Sequence, residues 1–355
     1  MLPFFDSTTL VDDPEALQAR FHLDGYVFVR GQADTDALTD LRRQTTDIMT
    51  EAGWLDPDRD PMDAVATRVP TVEGEEDYHH VYDQIQALES FHAVAHQPGV
   101  TRVMQGLLGP TAFPHPLSIM RLVFPHNDDW ATPAHQDHPN NQGTPDLYAC
   151  WMPLADCAAD AGALAILSGS HKLGLLPLEY SLGAGNRRAA LDERVDDFDW
   201  VVSDFELGDM VVFSSLTLHR SLGNSTDRMR LSVDFRFQRE HEPLTAGCLE
   251  PHFGRQTWDE IYEGWSDERL QYYWRDKSFP IVEWDASLHA IDDEQHDLGV
   301  EEKMRYNVAR AQLARDHGWK SMPHIDKDYE DVRASLAAER ETSLAAERET
   351  SRQGQ

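Results

Sequence analysis

Residues 230–238 alternate strictly, with Leu231, Val233, Phe235 and Phe237 interleaved between Arg230, Ser232, Asp234, Arg236 and Gln238. Successive side chains on a strand point to opposite faces, so this period of two predicts a strand with one apolar and one polar face. Shorter apolar runs at 118–124, 147–154, 163–167 and 210–215, broken by Gly, Pro, Asn and Asp, predict further strands. Upstream the period changes. Asp34 is placed to cap a helix in which Leu38, Leu41, Thr45 and Ile48 recur at helical spacing. A short strand at 26–29 precedes it, after the turn Asp24-Gly25. Helical patterns follow over 84–96 and over 100–108, the second ending at Gly109-Pro110. Short strands without regular helices between them predict an antiparallel barrel or jelly roll, so the fold class is mainly β with flanking helices.

The pattern divides the chain into an N-terminal helical flank over 1–110 and a strand-rich core over 111–245. A helical extension over 246–330 and a low-complexity tail over 331–355 follow. Residues 173–206 interrupt the core, a length that suggests either a lid or binding loop or a solvated surface loop. Their Arg187 and Arg188 offer a local anion site. Trp258, Trp265, Tyr272, Tyr273 and Trp274 make the C-terminal extension aromatic-rich, suited to core packing or to a homo-oligomer contact. The tail repeats SLAAERET at 335–342 and 343–350. Eight residues do not hold a heptad seam, so a frayed or solvated helix is expected there.

Composition narrows the partners. The 355 residues carry 63 acidic and 31 basic side chains, a formal net charge of −32. That charge repels phosphate, which argues against nucleic acid. No apolar run approaches the roughly 20 residues that cross a bilayer, and the N-terminus lacks the blocks of a signal peptide, so a cytoplasmic location is expected. Cys150, Cys157 and Cys248 contain no CxxC pair, which argues against a disulfide framework or a cysteine–zinc site. Only five basic residues are Lys (172, 277, 303, 320 and 327) and the rest are Arg. Abundant acid with scarce Lys suits a protein hydrated in concentrated salt.

The chemistry must then come from histidines and carboxylates. His-x-Asp on a strand places both ligands on one face, and a third His completes the two-His-one-carboxylate triad of non-haem iron oxygenases. His-x-Asp occurs at His22/Asp24, His126/Asp128, His135/Asp137 and His324/Asp326. Only the middle two lie in the strand-rich region, upstream of His219. Ser221 follows His219 by two residues, and the turn at 223–227 leads to Arg230, which a hairpin would return towards the metal.

His135-x-Asp137, GAL-x-ILSGSHK at 162–172, GD-x-VVF at 208–213 and H-x-S-x-x-N-S-x-x-x-x-R from His219 to Arg230 together resemble the phytanoyl-CoA dioxygenase family. FHLDGYVFVRG at 21–31 is similar to the family's start, and the resemblance spans roughly 15–240. It implies a double-stranded β-helix (jelly-roll, cupin-like) core. It also implies an Fe(II)- and 2-oxoglutarate-dependent dioxygenase that uses O2, releases succinate and CO2, and hydroxylates an unactivated C–H of a small organic substrate. The family's iron ligands fall on His135, Asp137 and His219. The arginine that pairs with the distal carboxylate of 2-oxoglutarate falls on Arg230, assisted by Ser221, and Trp151 falls on an aromatic position lining the cosubstrate pocket. With Asp137 present, hydroxylation is favoured over halogenation. One departure is Pro133-Ala134 where the family often has an aromatic, so His126/Asp128 stays a rival pair. The alternatives are a cupin-like barrel binding metal or ligand without turnover, and an iron oxygenase that does not use 2-oxoglutarate.

Overall fold

The computed structural model describes residues 1–291 and 294–353, with 294–298 and 339–353 as backbone alone. It opens with α1 (Pro14–Asp24), β1 (Tyr26–Val29) and α2 (Thr35–Glu51). Asp34 caps α2 as the sequence predicts, its carboxylate accepting from the backbone N–H groups of Asp36 and Ala37. The pattern expected over 84–96 proves to be two helices, α3 (Glu76–Gln86) and α4 (Glu89–Ala93), followed by α5 (Pro98–Leu108). The first starts earlier than expected because Tyr78, Val81, Tyr82 and Ile85 form its buried stripe, and half of that stripe is aromatic.

After α5 the chain becomes strands: β2 (Ala112–Val123), then the short helix α6 (His138–Asn141), β3 (Tyr148–Pro153) and β4 (Leu164–Leu167). A hairpin of β5 (Leu178–Tyr180) and β6 (Arg187–Ala189) occupies the 173–206 stretch, with β7 (Trp200–Val201) behind it. Then come β8 (Met210–Ser214), β9 (His219–Ser221) and β10 (Arg230–Arg239). One antiparallel sheet has the order β1-β8-β3-β10-β2, and a smaller one has β7-β4-β9. Tyr26, Phe28, Ala149, Trp151, Val211 and Phe213 of the larger sheet share a core with Leu164, Ile166 and Val201 of the smaller. The sheets thus close face to face as a jelly roll with flanking helices.

The other face of the larger sheet is covered by α1 to α5. Leu17, Leu38, Leu41, Tyr82 and Phe91 pack there on Cys150, Met152, Leu231, Val233, Phe235 and Phe237. The alternation along β10 is therefore real, but its polar face is not solvated. Every residue from Arg230 to Gln238 is buried, and the polar set lines the interior of the roll. Truncating Phe235 to Ala would cost about 3–5 kcal/mol, by lost transfer energy and the cavity left behind.

Residues 246–291 form short turns around a second aromatic cluster instead of long helices. Trp258, Tyr262 and Trp274 pack with Trp265, Tyr272, Tyr273 and Phe279 about the one-turn helix α7 (Trp258–Ile261). A separate compact unit joins 67–70 to the C-terminal helices α8 (Glu294–His317) and α9 (Pro323–Gln353). Its core is Val69, Ala311, Ala314, Met322, Ile325 and Tyr329, and its buried Arg310 donates to the carbonyl of Pro70 at 2.9 Å. The SLAAERET repeat lies on α9, and its side chains beyond 338 fall outside the described residues. Among the described residues no helix is long and apolar enough to cross a membrane, and the three cysteines are buried and unbridged.

Several histidines are enclosed by this packing. Burial lowers His92 and His115 to about 4 and His252 to about 3. Free histidine titrates near 6.5, so across this interval the unfolded chain holds more protons than the native one. Their contribution to stability is complete above about pH 6.5 and is lost as the pH falls towards 4. Urea unfolding should show a midpoint steady from pH 7 to 8 and dropping steeply between pH 6.5 and 4. A flat profile over that interval would overturn the assignment.

Candidate metal centre

His135 and His219 meet backbone to backbone. The N–H of His135 donates to the carbonyl of His219 at 3.0 Å, and the N–H of His219 returns the bond at 3.1 Å. This one bridge lies between β9 and the loop after β2, and it sets the two imidazoles with centroids 4.1 Å apart. Each ring is then fixed by a second bond. Nδ1 of His135 donates to the carbonyl of Pro133 at 2.8 Å, and Nδ1 of His219 to that of Thr217 at 3.0 Å. A carbonyl only accepts, so Nδ1 carries the proton in both rings and both Nε2 lone pairs are open. Metal-ligating histidines are oriented in this way. Burial, then the neighbouring His135, lowers His219 to about 3, so its imidazole is neutral and able to ligate.

The carbonyl of Thr217 is itself held in place. The Thr217 hydroxyl donates to the carbonyl of Gly25 at 2.8 Å, at the end of α1. Gly25 has φ 76°, and an added Cβ would come within 2.3 Å of the His171 ring and 2.7 Å of the Thr217 hydroxyl. Only glycine fits there. The Asp24-Gly25 turn therefore supports the far end of the site as well as ending a helix.

Asp137 completes the group. Its Oδ1 lies 3.6 Å from Nε2 of His135 and 3.8 Å from Nε2 of His219. Among the described residues this is the one set of three or more His, Cys, Asp or Glu side chains able to hold a metal, with ligand atoms all within 4.8 Å of one another. All three residues are buried. The expectation that His-x-Asp lies on a strand is not met. Asp137 starts α6 with φ −74° and ψ −25°. The chain turns helical there because His138 N–H donates to Ser215 and the Asn141 side chain to the Asp137 carbonyl, with Pro139 in the first turn. Gln136, between His135 and Asp137, bonds elsewhere. It donates to the carbonyls of Gly174 and Leu216 and accepts from Leu176 N–H, tying the His-x-Asp loop to two neighbouring segments.

A buried carboxylate needs a partner, and Asp137 has Arg236, whose Nη2 lies 2.9 Å from Oδ2. Burial alone would raise its pKa, but the Arg236 guanidinium outweighs that and holds Asp137 well below the usual carboxylate range. Asp234 braces Arg236 from the other side, then reaches Arg121 at 3.6 Å, and Arg121 reaches Glu73 at 3.7 Å. Neither Arg236 nor Asp234 stood out in the sequence as a site residue. The signal was present, because both occupy the polar face of β10 that also carries Arg230.

Arg230 is 7% exposed and forms no ion pair among the described residues. Its guanidinium donates to the carbonyl of Gly162 at 3.0 Å, to the Ser232 hydroxyl at 2.6 Å and to the Ser221 hydroxyl at 2.8 Å. The indole of Trp151 lies 5.6 Å from it. Burial lowers this guanidinium to about 10, the sign of a desolvated cation short of an anion. Arg230, Ser221 and Trp151 are thus together, and Ser221 is two residues along β9 from His219. The rival sites disperse. His126 and Asp128 are both exposed, as are His22 and His324, and Asp24 pairs with Arg20. Of the arginines in the β5–β6 hairpin, Arg188 pairs with Glu179 at 2.6 Å and Arg187 donates to the carbonyl of His289 at 3.0 Å.

The donor set of two imidazoles and one carboxylate is that of a non-haem iron(II) site, and a buried arginine beside a serine suits a carboxylate. Residues 21–232, more than half of the chain, match the family model described as Phytanoyl-CoA dioxygenase (PhyH). A 1-deoxypentalenic acid 11-beta-hydroxylase of Streptomyces exfoliatus is 26% identical over 70% of this chain and 89% of its own length. A probable phytanoyl-CoA dioxygenase of Caenorhabditis elegans is 27% identical over 40% of this chain and 49% of its own. Among solved structures, the epimerase SnoN in complex with Fe3+, alpha ketoglutarate and nogalamycin RO shares the fold. Its TM-score is 0.50 and its identity 17%, over 69% of this chain and 92% of that one. The chain belongs to the phytanoyl-CoA dioxygenase family and is an iron(II)- and 2-oxoglutarate-dependent oxygenase that uses O2.

Proposed function

We propose that His135, Asp137 and His219 ligate the iron, that Arg230 and Ser221 hold the distal carboxylate of 2-oxoglutarate beside Trp151, and that the reaction is hydroxylation of an unactivated C–H. The balance is R–H, 2-oxoglutarate and O2 giving R–OH, succinate and CO2. The observation that carries this is the convergence of two Nε2 lone pairs and Asp137 Oδ1 on one buried point, with a buried arginine on β10 that bonds Ser221 and has no ion pair among the described residues. Iron(II) with 2-oxoglutarate supplies the oxidising power, and the protein binds, orients and excludes water. Arg230 suits the distal carboxylate because its planar fork stays charged and bonds both oxygens. The relatives named as hydroxylases support hydroxylation over other outcomes.

The substrate is a small molecule. A narrow cleft is lined by Glu73, Tyr78, Arg121, Trp130, Thr132 and Ala184. Thr132 adjoins the site, since its carbonyl accepts from Ser221 N–H at 3.1 Å. Arg121 links the cleft to Asp234 and so to Asp137's own partner. Its lining offers an apolar surface at Tyr78 and Trp130 and a polar pair at Glu73 and Arg121. Arg121 already lies between two carboxylates, so the cleft has no surplus positive charge to recruit the phosphates of a CoA thioester. Small carbocyclic compounds, including acids such as the one named for the relatives, are the substrates to try first.

Anaerobic addition of Fe(II) and then 2-oxoglutarate to the protein should produce a weak visible charge-transfer band. A folded protein without that band overturns the reading. His219→Ala should abolish the band through loss of metal. Arg230→Ala should leave iron binding in place and weaken 2-oxoglutarate roughly 100-fold, about 2.7 kcal/mol for a lost charged hydrogen-bonded contact. Succinate release across small carbocyclic compounds and acyl-CoA thioesters reads the substrate class, and turnover of the thioesters alone would refute the cleft argument.

A further inference from the structure

Asp137 divides its two oxygens. Oδ1 faces the imidazoles of His135 and His219, and Oδ2 faces Nη2 of Arg236 at 2.9 Å. Asp137 and Arg236 are each 2% exposed, so solvent takes little part in the pairing. Nothing in the Asp137 backbone would hold this orientation. The residue starts a four-residue helix, and its bonds to Asn140 and Asn141 leave from its carbonyl and not its side chain. Arg236, by contrast, is fixed on both sides. Asp234, two residues earlier on the same face of β10, pairs with its Nη1, and Asp234's other oxygen is 3.6 Å from Arg121 on β2. Space for the side chain comes from the sheet. Arg236 faces Ala149 across β3, and on its other flank β2 bulges between the partners of Phe235 and Phe237. The bulge contains Pro116 and is entered at Pro114, and neither proline has an N–H to give the ladder.

We propose that Arg236 is a positioning residue for the metal centre. By occupying Asp137 Oδ2, it presents Oδ1 alone to the metal and limits the carboxylate to one bond. Arg236 touches neither metal nor substrate in this role, and acts through Asp137. The inference rests on the ligand assignment proposed above. It also gives β10 two tasks, since Arg230 near its start faces the cosubstrate and Arg236 near its end sets the carboxylate ligand. A lysine could not replace it fully, because one ammonium cannot reproduce a fork that reaches Asp137 with one nitrogen and Asp234 with the other.

The test uses Co(II), a redox-stable probe whose visible absorption reports coordination number. Wild type, Arg236→Met, Arg236→Lys, Asp234→Asn and His219→Ala are titrated with Co(II), with thermal melts recorded for each metal-free protein. Arg236→Met should weaken Co(II) about 10–100-fold, the usual cost of losing a partner of a metal ligand. Its Co(II) spectrum should shift towards higher coordination as the second carboxylate oxygen is released. Arg236→Lys should recover part of the affinity, and Asp234→Asn should fall between wild type and Arg236→Met. A folded Arg236→Met protein with wild-type Co(II) affinity and spectrum overturns the proposal and leaves Arg236 a purely structural residue. Should Arg236→Met fail to fold, Asp234→Asn and Arg236→Lys decide. Wild-type affinity and spectrum in both overturn the proposal, and weakened binding with a shifted spectrum supports it. His219→Ala separates the two readings, for retained Co(II) binding in that variant refutes the ligand assignment itself.

Discussion

The reciprocal pair of backbone hydrogen bonds between His135 and His219 is the constraint on which the site depends. It is an isolated bridge and not a ladder. Sheet pairing elsewhere aligns whole strands, but here two residues are clamped and their neighbours are free to do other things. Gln136 ties down 174–176 and Leu216, and Asp137 starts a helical turn. An extended His-x-Asp would have left the carboxylate on a strand, with its direction set by the pleat. Ending the bridge after one pair moves that decision to a side-chain partner, Arg236.

The interior of the roll is therefore a graded surface. Across the inner face of the larger sheet, β1, β8 and β3 supply Tyr26, Phe28, Val211, Phe213, Ala149 and Trp151, an apolar half. β10 and β2 supply Arg230, Ser232, Asp234, Arg236 and Arg121, a polar half. Burying that many charges is costly unless each has a partner. Here signs alternate from Glu73 through Arg121, Asp234 and Arg236 to Asp137. Among the described residues Arg230 has no acidic partner. An iron(II) ion and a dicarboxylate would bring equal and opposite charge to the site. Arg230 would then balance the one remaining negative charge on Asp137.

Much of this was legible in the sequence, for identifiable reasons. The strand with strict alternation was found nearly to the residue, as was the helix capped by Asp34, because period and cap are local properties. The three side chains that converge as the candidate ligands were singled out by their order along the chain and not by His-x-Asp, which an acidic chain produces several times by chance. What escaped notice was non-local. The alternation of β10 defines a polar face but not its surroundings, because a single strand does not reveal that a second sheet covers it. Asp234 and Arg236 therefore carry no site signal of their own, although they stand in the strand with the strictest alternation. The strand assignment for Asp137 failed for a similar reason. The bonds from His138 to Ser215 and from Leu176 to Gln136 bring together residues about 40 to 80 positions apart.

The scarcity of lysine takes on a second meaning at this site. Across the whole chain it speaks of solvent, since Asp and Glu outnumber Lys and Arg by 63 to 31. Among the described residues around the metal centre the buried cations Arg230 and Arg236 and the half-buried Arg121 are all arginines, and each is used as a fork. Arg230 serves Gly162, Ser232 and Ser221 at once, Arg236 bridges Asp137 and Asp234, and Arg121 bridges Asp234 and Glu73. An ammonium would have to leave water more completely and would still offer a point charge where two directions are required. The arginines thus allow a small polar half-face to stay buried without losing its geometry, and that geometry decides which atoms of Asp137 and of a bound dicarboxylate are available for chemistry.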